Sequence, residues 1–249
     1  AGEENASQLI EAFRELRITL GFAYGSAGPM TLVVTSPSQS EGKTLITTNL
    51  AVAFAEMGRR TLLIDADTRR GDAHRLLGLE RTPGLTDYLR DRSSGEVIQF
   101  TKYDHLHFIG SGTRSSTTPE LLASQRMGQF FGTLKRAYDV ILIDSPPLAA
   151  GGDAVLLSAL AGNMAIVIRS GSTEKPLTLA KLEGLSRLPI RVLGAILNDV
   201  SASGSSYGYY SSSYLPGYEA SDEPDIETAA GQPRLLADAG VDEAGGQAS

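Results

Sequence analysis

Residues 31–70 place the strongest constraint on what this chain can fold into. An apolar run at residues 31–36 is followed by a polar turn, a helix-like segment and a second apolar run, L-L-I-D-A-D, which ends in two carboxylates. Strand, helix and strand in this order make a βαβ unit, because parallel strands need a long crossover that is usually a helix. The stretch therefore predicts a parallel sheet.

The polar turn of this unit, P-S-Q-S-E-G-K-T at residues 37–44, has the pattern of a phosphate-binding loop. A helix that begins near Lys43 leaves its first N–H groups unpaired, and these groups together with the helix dipole attract an anion. Gly42 lets the backbone approach a phosphate, Lys43 supplies a charge, and the Thr44 hydroxyl suits Mg²⁺. Pro37 stands at the first glycine position of the Walker A pattern, so an ordinary helix start is the alternative.

Three carboxylates follow apolar runs. Asp65 and Asp67 end the predicted strand at residues 60–66, and Asp144 ends the run V-I-L-I. Open α/β sheets bind ligands at the carboxyl ends of their strands, and residues i and i+2 share a side of a strand. Walker B chemistry uses an Asp at the place of Asp144 to hold Mg²⁺. We expect all three near the phosphate loop. The alternative for Asp65 and Asp67 is a pair of turn residues.

The rest of the ordered pattern alternates strands and helices. Helices are predicted at residues 7–20, with Ser7 as N-cap, and at 45–57, 118–137 and 177–188, and further strands at 105–109, 164–169 and 191–198. Alternation at this spacing is typical of an α/β fold with a mostly parallel sheet and helices on both faces. The uncharged stretch 154–168 is shorter than the ~20 residues that span a bilayer, so we expect a helix and a buried strand there.

The composition changes abruptly beyond residue 200. Residues 201–218 are rich in Gly, Ser and Tyr, and residues 219–249 hold eight acidic residues and one arginine. Neither segment has the apolar periodicity that builds a core, so we expect a domain at 1–200, a flexible tyrosine cluster at 201–218 and an acidic disordered tail at 219–249. The cluster holds five of the nine tyrosines, namely Tyr207, Tyr209, Tyr210, Tyr214 and Tyr218.

The net charge of −7 comes from the acidic tail. The remainder has 21 basic and 21 acidic residues, which argues against a nucleic-acid-binding domain. The chain has no cysteine, so a disulfide framework is excluded and a reducing compartment is compatible with the sequence. No signal peptide is visible, but the sequence begins at Ala1 rather than Met, so a membrane segment upstream stays open.

Together these motifs resemble the bacterial tyrosine kinases (BY-kinases) of the polysaccharide co-polymerase, or capsule and exopolysaccharide, family. The similarity covers residues 8–218 and rests on S-E-G-K-T, L-L-I-D-A-D-T-R-R, Y-D-V-I-L-I-D-S-P-P and the tyrosine cluster. Smaller matches are E-A-F-R-E-L-R, G-L-T-D-Y-L, P-E-L-L-A-S and G-A-I-L-N. The resemblance implies a P-loop NTPase fold of the MinD/ParA type. It also implies a kinase that uses ATP and Mg²⁺, phosphorylates its own tyrosine cluster between subunits, and regulates polysaccharide synthesis and export.

The resemblance implies roles for individual residues. Lys43 would act on the phosphates, Asp65 would draw the proton from the acceptor tyrosine, and Asn198 would lie near the adenine. A base is chemically reasonable, because a phenol with a pKa of ~10 is a poor nucleophile at neutral pH. The implied Mg²⁺ site consists of Thr44, Asp67 and Asp144. The implied phosphate-binding loop consists of Ser40, Glu41, Gly42, Lys43, Thr44 and Leu45.

The resemblance also implies partners. Glu11, Arg14 and Arg17 would form the E-x-x-R-x-x-R motif with which such kinases assemble into a homo-oligomeric ring. From the residues alone these side chains form a polar helix face, for which an idle solvated surface is the alternative. The other implied partners are protein substrates phosphorylated on tyrosine and a membrane activator or chain-length regulator, or else a fused transmembrane segment. The implied location is the cytoplasm, at the inner face of the cell membrane.

One departure from the family pattern concerns the loop, because the usual P-G-E-G-K is Q-S-E-G-K at residues 39–43. If position 40 needs a positive φ, Ser40 costs about 1 kcal/mol relative to glycine. Two other functions stay open. A MinD/ParA-like ATPase switch would have its early signature lysine at Ser38 and would not explain the tyrosines. A catalytically weak module could bind nucleotide only to hold an assembly.

Overall fold

The computed structural model describes residues 2–25, 28–90 and 97–200, and the described strands form one seven-stranded sheet. Its order is β3-β4-β2-β5-β1-β6-β7, and all neighbours are parallel except β3 and β4. The strands are β1 Met30–Thr35, β2 Thr61–Asp65, β3 Ile98–Phe100, β4 Leu106–Ile109, β5 Val140–Asp144, β6 Asn163–Arg169 and β7 Arg191–Asn198.

Helices cover both faces of this sheet. They are α1 Gly2–Tyr24, α2 Lys43–Ala55, α3 Ala73–Leu77, α4 Leu85–Leu89, α5 Thr118–Leu122, α6 Gln125–Ala137, α7 Asp153–Ala161 and α8 Lys175–Leu185, with a 3-10 turn at Leu148–Ala150. The first three helices share one core cluster with the sheet, and α4 to α7 share a second cluster on the opposite face. The predicted architecture, a mostly parallel sheet with helices on both faces, is confirmed.

The central strands explain why the two cores form. Along β1, Leu32 and Val34 belong to the first core, whereas Val33 belongs to the second. Successive side chains of a strand point to opposite faces, so a strand that is covered on both sides must be apolar at every position. All residues of β1, β2 and β5 are buried, which is why their sequences lack an alternating pattern.

The structure corrects three details of the sequence prediction. The helix predicted at residues 118–137 is two helices, because Ser124 caps α6 by accepting a hydrogen bond from the Met127 N–H at 3.2 Å. Ser7 is not an N-cap, since α1 already begins at Gly2, before the apolar period starts. The short antiparallel strand β3 was not predicted, because three half-exposed residues carry no periodic signal. The bounds of most other elements shift by one to three residues.

Within the described residues, none of the helices has both the length and the apolar character that crossing a membrane requires. The tyrosine cluster and the acidic tail, residues 201–249, lie outside the described part of the chain. The division of the chain at residues 200 and 218 therefore stays a prediction.

Candidate active site

Three adjacent strands bring the predicted site residues together at one edge of the sheet. In the register of the sheet, Asp144 of β5 lies opposite Val34 of β1 and opposite Asp65 of β2. The phosphate loop follows β1, so it begins beside the two strands that end in carboxylates. The expectation that the loop and the carboxylates share one site is confirmed, because parallel neighbouring strands end at the same edge.

Lys43 is the centre of this group. Its Nζ lies 3.2 Å from Asp67 Oδ2, 3.9 Å from Asp144 Oδ1 and 3.5 Å from Thr44 Oγ1. The side chain is only 13% exposed. Burial acts to lower the pKa of Lys43, but attraction to Asp144 and Asp67 outweighs it, so the pKa is raised. Lys43 is therefore a charged group held against the carboxylates.

Asp144 is the most deeply enclosed of the carboxylates. It is completely buried, and neither oxygen accepts a hydrogen bond of normal geometry from the described residues. Burial raises its pKa, and the nearby charge of Lys43 and the Thr44 hydroxyl offset part of that effect. Buried polar atoms are normally satisfied, so two orphaned oxygens indicate a missing partner. Carboxylate and hydroxyl oxygens are the ligands that Mg²⁺ takes, and the residues present fit this ion.

Asp65 lies beneath the turn that follows β2. Its Oδ1 accepts a hydrogen bond from the Asp67 N–H at 3.1 Å, and its Oδ2 has no hydrogen-bond partner among the described residues. Burial, and then the charges of Asp144 and Asp67, raise its pKa well above the ordinary value. A carboxylate with a raised pKa is a stronger base, which suits proton abstraction. Gly71 covers it so closely that a Cβ there would lie 2.4 Å from both oxygens.

The phosphate loop depends on two left-handed residues. Gly42 has φ 88°, and a Cβ there would lie 2.1 Å from Asn198 Nδ2. Asn198 donates from that nitrogen to the Glu41 carbonyl oxygen at 2.9 Å, so it packs against the loop. Ser40 has φ 61°. This is a positive φ, the condition under which serine at position 40 is expected to cost stability relative to glycine. Glycine is therefore required at position 42, and serine is strained at position 40.

The side chain of Glu41 is buried inside the protein. Its Oε2 accepts a hydrogen bond from the Ser38 N–H at 3.0 Å, and its Oε1 accepts one from Thr173 Oγ1 at 2.7 Å. Only the backbone of Glu41 is therefore left for an anion. The first helical bond of α2 runs from the Ile46 N–H to the Gly42 oxygen, so the N–H groups of residues 43–45, including that of Leu45, begin the helix.

A cleft of about 520 Å³, within the usual size of small-molecule sites, is lined by Ser40 and Lys43 of the loop and by Asp67. Arg69 and Arg70 form one wall of this cleft, and Pro146 and Pro147 form another. Arg70 donates to Gln39 across the cleft, and Arg69 Nη2 lies 3.5 Å from an Asp153 oxygen. The sequence pattern predicted no role for these two arginines, although they follow the D-A-D motif with one residue, Thr68, between.

The structure separates the three residues of the predicted assembly motif. Arg14 lies 3.3 Å from Glu11, and both side chains are at least half exposed. Arg17 instead donates from Nη1 to the Ala53 carbonyl oxygen of α2 at 2.8 Å and is partly buried. The interpretation of all three as one exposed polar face is wrong for Arg17, because a position six residues after Glu11 has rotated toward the neighbouring helix.

Replacing Ser40 with glycine is expected to raise the free energy of unfolding by about 1 kcal/mol, because glycine adopts a positive φ without strain. Ser38 offers a matched control, since its φ is not positive and Ser38→Gly is expected to lower stability by roughly 0.5–1 kcal/mol. Urea denaturation of both variants checks this. A loss of stability in Ser40→Gly as large as that in Ser38→Gly would contradict strain at position 40.

Known proteins resemble this chain in sequence and in fold. The family described as the CobQ/CobB/MinD/ParA nucleotide binding domain matches residues 32–208. Tyrosine-protein kinase YwqD of Bacillus subtilis is 38% identical over 202 residues, which are 80% of this chain and 85% of YwqD. The kinase domain of the Escherichia coli tyrosine kinase ETK superposes with a TM-score of 0.74 at 31% identity, over 79% of this chain and 77% of that domain.

Some relatives are much longer than this chain. Tyrosine-protein kinase wzc of Salmonella typhimurium is 36% identical over 211 residues, which are 82% of this chain but 29% of wzc. The chain therefore matches less than a third of the length of wzc. Sequence identity, coverage and fold all agree: this chain belongs to the bacterial tyrosine-protein kinases, a family of enzymes built on the CobQ/CobB/MinD/ParA nucleotide-binding domain.

Proposed function

We propose that this chain transfers the γ-phosphoryl group of ATP to tyrosines of its own C-terminal cluster, between neighbouring copies, and thereby regulates the synthesis and export of a capsular or extracellular polysaccharide. One observation carries the proposal: Lys43 lies within 4 Å of two carboxylates at the mouth of a phosphate loop. The names of the relatives support the choice of tyrosine as acceptor.

Different residues of the site would bind the metal ion, the phosphates and the adenine. Thr44, Asp67 and Asp144 would hold Mg²⁺, which when bound neutralises charge on the phosphates. Lys43 would exchange its carboxylate partners for phosphate oxygens as ATP enters. The loop N–H groups would bind the phosphates, and Asn198, which lies against the loop, would border the adenine.

Asp65 would act on the acceptor. The tyrosine oxygen attacks the γ-phosphorus, its proton passes to Asp65, and the bond between the γ-phosphorus and the bridging oxygen breaks to release ADP. Asp65 is fully buried under Gly71 in this structure, so direct contact with the acceptor would require the backbone around Gly71 to move. The raised pKa of Asp65 favours its acceptance of the proton.

The distance between subunits does not prevent transfer to a neighbour. The segment from Asp199 to Tyr218 can extend to about 60 Å at ~3.3 Å per residue. A compact body of this size has a radius of gyration of about 16 Å. Each phosphate would add about two negative charges beside an acidic tail, and repulsion between such tails would loosen an assembly.

A mixing experiment tests this proposal. A Lys43→Met chain that keeps its tyrosines is incubated with Mg·ATP and an active chain truncated after Val200, and phosphotyrosine is mapped by mass spectrometry. Label on Tyr207 to Tyr218 of the Lys43→Met chain is expected. Absence of that label, while the intact wild type labels itself, would contradict transfer between subunits. Release of free phosphate with no phosphotyrosine in any mixture would instead identify an ATPase switch.

We also propose that the active form is a ring of copies, held at the inner face of the cell membrane by an activator protein or by a fused transmembrane segment. The exposed pair Glu11 and Arg14 on α1 supports a contact between copies, because neither side chain is used in packing the core. Other proteins phosphorylated on tyrosine would be further substrates.

Arginines 14 and 17 are expected to behave differently when replaced by alanine. Arg14→Ala should shift the particle mass toward the monomer in light scattering and change stability by less than about 0.5 kcal/mol, because its side chain is exposed. Arg17→Ala should lower the free energy of unfolding by about 1–2 kcal/mol, because it removes a charged donor from the Ala53 oxygen. An unchanged mass for Arg14→Ala, with an oligomeric wild type, would count against the interface.

A further inference from the structure

The end of β6 and the loop that follows it contact the phosphate loop. Thr173 Oγ1 donates to Glu41 Oε1 at 2.7 Å and accepts a hydrogen bond from the Arg169 N–H at 2.7 Å. The Arg169 guanidinium donates from Nη1 to the Ser40 carbonyl oxygen at 3.3 Å. Two successive residues of the phosphate loop are thus held by one short segment 129 to 132 residues further along the chain.

Each of these contacts stabilises a part of the loop that is unfavourable by itself. Glu41 is a buried carboxylate, and a buried carboxylate oxygen without a donor is strongly unfavourable, so the Thr173 hydroxyl fixes where this side chain can lie. Ser40 is strained at φ 61°, and such a conformation persists only where its surroundings hold it. The hydrogen bond from Arg169 to the Ser40 carbonyl oxygen helps to keep Ser40 in this conformation.

Arg169 is itself oriented by a second carboxylate. Its Nε lies 2.9 Å and its Nη2 2.8 Å from Asp199 Oδ2, directly after β7. A guanidinium fixed in this way retains one donor direction for the loop, because its five N–H groups have a rigid planar geometry. The support therefore extends from the phosphate loop through Arg169 to the residue that follows β7.

We propose that Thr173 and Arg169 are positioning residues that set the affinity for nucleotide by holding the phosphate loop in its strained, anion-binding conformation. Neither residue needs to contact the nucleotide, since Thr173 acts through Glu41, and Arg169 acts through the carbonyl oxygen of Ser40. The inference rests on the proposed binding of ATP at the loop, but not on tyrosine as the acceptor of the phosphoryl group.

The test compares Thr173→Val with Thr178→Val. Both replace a threonine hydroxyl by a methyl group, but among the described residues the Thr178 hydroxyl donates to the carbonyl oxygen of Glu174, the N-cap of α8, and not to the phosphate loop. Titration with a fluorescent ATP analogue and Mg²⁺ is expected to give a dissociation constant about tenfold higher for Thr173→Val and unchanged within about twofold for Thr178→Val. Thr173→Ser, which keeps the hydroxyl, should restore the wild-type value.

Arg169→Ala is compared in the same way with Arg60→Ala. Arg60 is also an exposed arginine paired with an aspartate. Its partner Asp139 directly precedes β5, so this pair lies at the amino-terminal end of the strand, whereas the phosphate loop lies at the carboxyl ends. We expect the dissociation constant of the ATP analogue to rise about fivefold to tenfold in Arg169→Ala and to stay unchanged in Arg60→Ala. Asp199→Asn should lose less affinity than Arg169→Ala, because it keeps the contact between Arg169 and Ser40. At saturating ATP, the turnover number of the Thr173 and Arg169 variants should stay within about threefold of wild type, with the effect confined to KM.

Three results would overturn the inference. The first is an unchanged dissociation constant in Thr173→Val and Arg169→Ala, and the second is an equal loss of affinity in the control variants Thr178→Val and Arg60→Ala. The third is a loss of affinity that accompanies a fall in melting temperature and is not restored by Thr173→Ser. A wild type that binds ATP but forms no phosphotyrosine would sink the proposed function and leave this inference intact, because its readout is binding.

Discussion

Lys43→Met is expected to lower the rate of tyrosine phosphorylation by at least about 10²-fold, because it removes the positive charge that would stabilise the transferring phosphoryl group. The position of Lys43 supports this size of effect. It is the cation that lies within 4 Å of both Asp67 and Asp144 in the described part of the chain. Incorporation of phosphate into tyrosine, measured by mass spectrometry with time, checks the prediction.

Lys175→Met provides the matched control for this variant. Lys175 is an exposed lysine at the start of α8, and it has no salt bridge among the described residues. Its replacement should leave the phosphorylation rate within about twofold of wild type, because an exposed charge outside the site contributes little. A Lys43→Met chain with more than about half of the wild-type rate would remove the phosphoryl-transfer interpretation of the loop.

Asp144→Asn is expected to have two opposite effects. Without nucleotide the variant should be more stable than wild type by about 1 kcal/mol, because an amide replaces a fully buried carboxylate whose oxygens have no normal hydrogen bond. With Mg²⁺ and ATP at 100 times the wild-type dissociation constant, wild type should gain about 2.7 kcal/mol, and the variant should gain little. Its phosphorylation rate should fall by at least about 10²-fold.

Thermal unfolding with and without Mg·ATP measures both effects. Asp139→Asn is the control, because Asp139 pairs with Arg60 on the surface before β5 and lies away from the phosphate loop. This control should keep the full stabilisation by Mg·ATP. Equal stabilisation of Asp144→Asn and wild type would show that Asp144 does not hold the metal ion.

The sequence by itself determined the local parts of this protein. Apolar runs with no polar alternation predict strands buried on both faces, and the turn G-K-T before a helix predicts an anion site, because both depend on residues close together in the chain. Asp65, Asp67 and Asp144 could also be placed at the carboxyl ends of strands. The family resemblance added the roles of those residues, which remain proposals for this chain.

Other features depended on residues that are far apart in the chain. The sheet order puts β5 between β1 and β2, and this arrangement gives Asp144 two neighbouring strands at the site. The contact of Thr173 with Glu41 spans 132 residues, and that of Arg17 with Ala53 spans 36. Periodicity reports which side of an element is buried, but it does not identify the partner.

Glu41 shows most clearly why the site could not be predicted completely from the sequence. The family resemblance implies only that Glu41 belongs to the phosphate-binding loop, whereas the folded chain buries its carboxylate and satisfies it from neighbouring Ser38 and distant Thr173. A buried charge persists only where donors converge on it, and the convergence of Ser38 and Thr173 exists only after β1 and β6 have paired. Local sequence therefore determined the chemistry available at this site, and tertiary structure decided which groups line the cleft and which hold the loop.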